Sequence, residues 1–148
     1  MFSKNKAVII PLFLTLVAFF SIASSNAQAM PSVTTGQAVL IGARNVNLYG
    51  NANPNSDKSS VWFEVGTTQS SLNRSYEQNA GNGTSSLLFD DVLINRQLNT
   101  TYYYRLVARN AHGIVFGETK SFTINSDGSL LSGNGSSNGF SNNYNPNS

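Results

Sequence analysis

The residues able to do covalent chemistry are few and badly placed for it. The chain has one histidine, His112, and no cysteine. Nucleophilic hydrolysis needs a base within hydrogen-bond reach of the nucleophile and a third group to orient that base. His112 instead falls in the turn sequence Asn110-Ala111-His112-Gly113, and outside the Gly-, Ser- and Asn-rich tail no Gly-x-Ser-x-Gly elbow occurs. Zinc would need several thiolate or imidazole ligands. The adjacent carboxylates Asp90 and Asp91 sit in a strand-like segment, where alternation sends them to opposite faces, so they cannot jointly flank a glycosidic bond. Asp57 lies in a turn with too few oxygen ligands nearby for a calcium loop. The expectation is a non-enzymatic protein with no catalytic residue, no metal and no cofactor.

The remaining chemistry is that of recognition, and it depends on the elements that carry it. Lys4 and Lys6 precede an apolar run from Ala7 to Phe20, interrupted only by Pro11 and Thr15, and Ala27-Gln28-Ala29 follows as a small-x-small triplet. This is the pattern of a cleaved signal peptide over residues 1–29. The run falls short of the ~20 apolar residues of a membrane-spanning helix. Cleavage takes away two of the nine basic residues, leaving seven against seven acidic ones. The mature chain is therefore near neutral, which argues against a nucleic-acid partner. A secreted, extracellular or cell-surface location is expected, the periplasm being a further compartment open to an exported chain. Without cysteine, the domain must be held by its hydrophobic core.

From Pro31 to Ile124 the chain reads as short strands separated by turns. Val46, Leu48, Gly50 and Ala52 alternate with polar or outward-facing neighbours, and Asn53-Pro54-Asn55-Ser56-Asp57 ends that strand. Further strands are expected over 61–65, 85–94, 101–108 and 115–124, with turns at Gly81-Asn82-Gly83 and Ala111-His112-Gly113. About seven strands in ~100 residues predict an all-β, two-sheet immunoglobulin-like sandwich over residues 30–125, with a small open barrel as the alternative. Residues 126–148 contain seven Ser, six Asn, four Gly and a single charge, Asp127. That composition predicts a disordered tail from which the domain is separable after Asn125. Four Asn-x-Ser/Thr triplets begin at Asn73, Asn82, Asn99 and Asn134, a number expected by chance in so Asn-, Ser- and Thr-rich a chain.

Several segments in this order resemble the fibronectin type III family, in the form found in bacterial exported proteins. They are Leu48-Tyr49-Gly50-Asn51-Ala52-Asn53-Pro54-Asn55, Phe63-Glu64-Val65-Gly66-Thr67-Thr68, and the run Thr100 to Asn110, followed by Phe116-Gly117-Glu118 and Ser121-Phe122-Thr123. The resemblance implies that Tyr102 is the corner tyrosine whose hydroxyl bonds back between the fifth and sixth strands. It also places Tyr104, Leu106 and Ala108 inward with it, against Phe63 and Val65. The chain departs from the family at Arg96 and Leu98, where Leu and Pro are common, so Leu93 or Ile94 is expected to fill the core there.

In that arrangement the third and sixth strands are neighbours. If Phe63 and Val65 face inward, then Trp62 and Glu64 face outward, as do Tyr103, Arg105, Val107 and Arg109. Trp62, Tyr103, Arg105 and Arg109 thus form the candidate binding surface, since Trp, Tyr and Arg concentrate binding energy at interfaces. The same residues could instead serve the sheet, with Glu64 balancing an arginine and the aromatics stacking. The function expected is a binding or structural module meeting a protein or polysaccharide at the cell surface. Two alternatives stay open: a subunit that self-assembles through sheet edges or the tail, and a glycan-binding accessory domain using Trp62 and Tyr103.

Overall fold

Valine, threonine, tyrosine and phenylalanine dominate the periodic segments, and their branched or aromatic side chains pack well on a pleated surface. The computed structural model describes residues 29–134 and 140–142. Its strands are β1 (Ser32–Leu40), β2 (Val46–Asn53), β3 (Ser59–Thr68), β4 (Ser71–Arg74), β5 (Gln78–Gly81), β6 (Leu87–Leu93), β7 (Thr101–Asn110), β8 (Gly113–Phe116), β9 (Lys120–Ile124), β10 (Leu130–Asn134) and β11 (Phe140–Asn142). The smaller sheet has the order β1-β2-β6, and the larger has β11-β10-β9-β7-β3-β4, with β5 joined to β3 and β8 to β7. Every pairing is antiparallel. The molecule is an all-β, immunoglobulin-like sandwich of two sheets, as the strand pattern predicts, and the barrel alternative fails.

The core fills the space between the sheets. Val46, Leu48 and Ala52 of β2 meet Val61 and Phe63 of β3, and Tyr102, Tyr104, Leu106 and Ala108 of β7 complete the layer with Phe122 and Ile124. Tyr102 and Phe122 stack with ring centroids 5.2 Å apart. Burial drives the Tyr104 hydroxyl well above the usual phenol range, and that hydroxyl donates to the Gly36 carbonyl at 3.1 Å. The Tyr102 oxygen accepts the Gln97 backbone N–H at 3.1 Å, the corner bond implied by the resemblance. Leu93 packs against the core, whereas Ile94 is exposed.

Two departures from the expected strands have local causes. The segment 115–124 is split into β8 and β9 because Gly117 turns its N–H to the Leu106 carbonyl at 2.8 Å. The Thr35 hydroxyl accepts the Leu106 N–H beside it at 3.1 Å. A side chain on residue 117 would collide with that hydroxyl, so glycine is required at the break. The second departure is a correction: order does not end at Asn125. A turn closed by the Asn125 N–H to the Ser129 carbonyl at 2.9 Å leads into β10. This strand pairs with β9 from Leu130–Ile124 to Asn134–Lys120, and Leu130 is buried in the core. Strand β11 then pairs with β10. The folded unit therefore runs through Asn134, and the expected boundary at 125 is wrong. The expected signal peptide, apart from Ala29, and the rest of the expected tail, apart from β11, lie outside the described residues.

Candidate functional site

The register of β3 on β7 sets Trp62 beside Val107, Glu64 beside Arg105 and Ser60 beside Arg109. On the flanks, Arg74 of β4 stands opposite Glu64, and Phe116 and Ile114 of β8 stand opposite Val107 and Arg109. With Phe63, Leu106 and Ala108 buried inward, alternation puts all these side chains on the outer face of the larger sheet. The four candidates Trp62, Tyr103, Arg105 and Arg109 thus share one face, as expected.

Their exposure differs from the expectation. Trp62 retains 4% of its accessible surface and Val107 none. The cause is a lid of charged side chains. The Arg74 guanidinium lies 3.8 Å from the centre of the Trp62 ring, and that of Arg109 lies 5.8 Å from it. Both arginines pair with Glu77, Arg109 at 3.2 Å. The Ser60 hydroxyl, and then Arg74 and Arg109, hold the Glu77 carboxyl below the usual carboxylate range, partly opposed by desolvation. The Trp62 indole N–H points to Glu64 Oε1 at 3.4 Å. Trp62 is therefore a covered packing element, and reading it as a free stacking platform is corrected.

The other half of the face is open. Arg105 donates through Nε and Nη2 to Glu64 Oε2 at 2.9 and 2.7 Å, and its guanidinium lies 4.2 Å from the Phe116 ring centre. Phe116 is 51% exposed and Ile114 48%. Tyr103 is half-buried and lies between Gly66 and Ser121. Below it, the hydroxyls of Thr101 and Thr123 meet at 3.0 Å. Alternation along the sequence does not single out Phe116, Ile114, Arg74 or Glu77. Phe116 was legible only as part of a family segment. Arg74 ends β4 and Glu77 precedes β5, strands too short to show a period.

His112 lies at one end of the sandwich. Its Nε2 is 3.2 Å from Asp57 Oδ2, joining the β7–β8 turn to the β2–β3 turn. The same turns hold the start of the described chain, since Asn55 Nδ2 donates to the Met30 carbonyl at 2.9 Å and Asn110 Nδ2 to the Ala29 carbonyl at 2.8 Å. Asp90 and Asp91 are on opposite faces, for Asp90 Oδ2 accepts from Asn47 at 3.2 Å while Asp91 shares the row of buried Leu48. Among the described residues no cluster of three or more potential metal ligands occurs, and no helix is long and apolar enough to cross a membrane. What the outer face offers is guanidinium groups, aromatic surface and hydroxyls, the means of noncovalent recognition. No family model matches the chain, and no curated protein matches it.

Proposed function

We propose that this chain is an exported, non-enzymatic module of the fibronectin type III kind that acts by binding a protein or matrix component at the cell surface. The contact surface in this reading is the open half of the larger sheet's outer face, made of Phe116, Ile114, Tyr103 and Arg105. The observation that carries it is the half-exposed Phe116 ring held against Arg105, which Glu64 fixes in turn. An aromatic group kept in place by ion-paired neighbours loses little freedom on binding, which favours recognition. Stacking of a sugar on Trp62 gains no support, because Arg74 covers the ring.

The test is saturable binding of fluorescently labelled protein to the surface of the cells that produce it. Phe116→Ala and Ile114→Ala should each weaken that binding by about tenfold or more, while Tyr49→Ala on the opposite sheet should not change it. Equal binding by all variants would overturn this reading.

A further inference from the structure

Strand β6 closes one side of the smaller sheet, and among the described strands only β2 pairs with it. Tyr49 stands opposite Asp90 in that ladder. The Asp90 carbonyl points away from β2, since it accepts the Gln78 carboxamide of β5 at 2.8 Å. The N–H and C=O of a strand residue share a side, and sides alternate along the chain. Leu88, Asp90 and Val92 therefore turn their backbone groups outward along an edge that no other described strand covers, with the Gln78 carboxamide on its central carbonyl. The side chains around that edge are largely apolar and open: Leu88 is 65% exposed, Ile94 59%, Leu87 46% and Val92 45%.

An edge of this kind is a template for another strand, and its charges decide which strand fits. Asp90 lies on the outer row and Asp91 on the inner row, and neither is ion-paired among the described residues. A second copy pairing with β6 about a two-fold axis would centre on these residues and set carboxylate against carboxylate, which is destabilising. An inward-pointing charge on an edge strand also repels a purely apolar intruder. Both objections vanish for a partner that brings two adjacent cations, one for each row.

We infer that the β6 edge is a docking site for an extended segment of another protein, carrying two adjacent basic residues between aliphatic ones. In antiparallel register the two basic side chains stand opposite Asp91 and Asp90. An aliphatic residue beyond them stands opposite Leu88 on the outer row. Another, on the inner row, stands opposite Leu93 and enters the cleft of about 380 Å³ whose lining includes Val65, Leu93 and Tyr102 beside Asn73, Arg74 and Arg96. The partner's N–H replaces the Gln78 carboxamide on the Asp90 carbonyl. This surface lies on the other sheet from Phe116, so its failure and that of the proposed contact face are separable.

The test uses the purified protein and two synthetic peptides, acetyl-Thr-Ile-Thr-Lys-Lys-Thr-Ile-Thr-amide and the same peptide with Glu-Glu at its centre, followed by amide NMR. The Lys-Lys peptide should shift the Leu88, Asp90 and Val92 amides and bind about fivefold or more tighter than its counterpart. That preference should disappear in the Asp90→Asn/Asp91→Asn variant, whose remaining spectrum reports an intact fold. Equal affinities, no shifts, shifts located elsewhere, or dimerisation of the protein through the same amides would each overturn the inference.

Discussion

Trp62 and Phe116 lie on one face of one sheet, flanking the same residue, Val107, and each has an arginine against its ring. Their situations nonetheless diverge. At Trp62 two arginines and Glu77 form a closed cover, and the ring is almost wholly buried. At Phe116 a single arginine, fixed by Glu64, leaves half the ring open. The number of charged side chains that can reach the ring decides the outcome. Trp62 sits on a central strand with neighbours on both sides, whereas β8 is a short outer strand that, among the described strands, pairs only with β7. One half of the face contributes to stability by excluding water, and the other keeps apolar surface in it.

The largest change expected short of the core comes from the strand that extends the sheet. Deleting everything after Asn125 removes Leu130, which is buried, and also Leu131, which alternation places at the margin of the open half. Loss of one buried leucine and a strand should cost about 3 kcal/mol and lower Tm by about 10 °C or more. Thermal unfolding checks it. An unchanged Tm would restore the boundary that the composition suggested.

That boundary shows where the sequence stops being legible. The periodic strands are readable because Leu48, Phe63, Leu106 and their partners repeat every second residue, and burial of one face leaves such a pattern. The corner at Tyr102 is readable only through the resemblance to a known family. Strand β10 offers one inward leucine among Ser, Gly and Asn, too little for a period to register, and its order comes from the β9 edge it covers. Alternation likewise reports which face a side chain takes but not what lies over it. Alternation therefore gives Trp62 the right face and the wrong exposure, its lid coming from Arg74 and Glu77 outside any readable strand.

A smaller effect separates inward from outward tyrosines. Tyr102→Phe leaves the Gln97 N–H without its acceptor and should cost ~1 kcal/mol, whereas Tyr103→Phe on the outer face should be nearly silent in urea unfolding. The reverse ranking would mean that the face assignment of β7, and with it the whole comparison, is inverted.

The smallest effect concerns the lid and is read by acid titration of Trp62 fluorescence. Glu77 has a folded pKa below its ordinary 4.5, chiefly through the Ser60 hydroxyl. Its contribution is therefore fully present above about pH 4.5 and is lost as the pH falls through the lowered value. The fluorescence step should fall below pH 4.5 and move upward in Ser60→Ala. A step that ignores this substitution would remove Ser60 as the cause, and one that persists in Glu77→Gln would detach the lid from Glu77.

The division of the face into a covered and an open half is tested most directly by urea denaturation of Trp62→Ala and Phe116→Ala side by side. Removing the covered ring should cost about 3 kcal/mol or more, because it leaves a cavity beneath Arg74 and strands the Glu77 network. Removing the open ring should cost under about 1 kcal/mol, since it was half in water already. Equal losses in the two variants would contradict the account, for Phe116 would then be as much a part of the packed structure as Trp62.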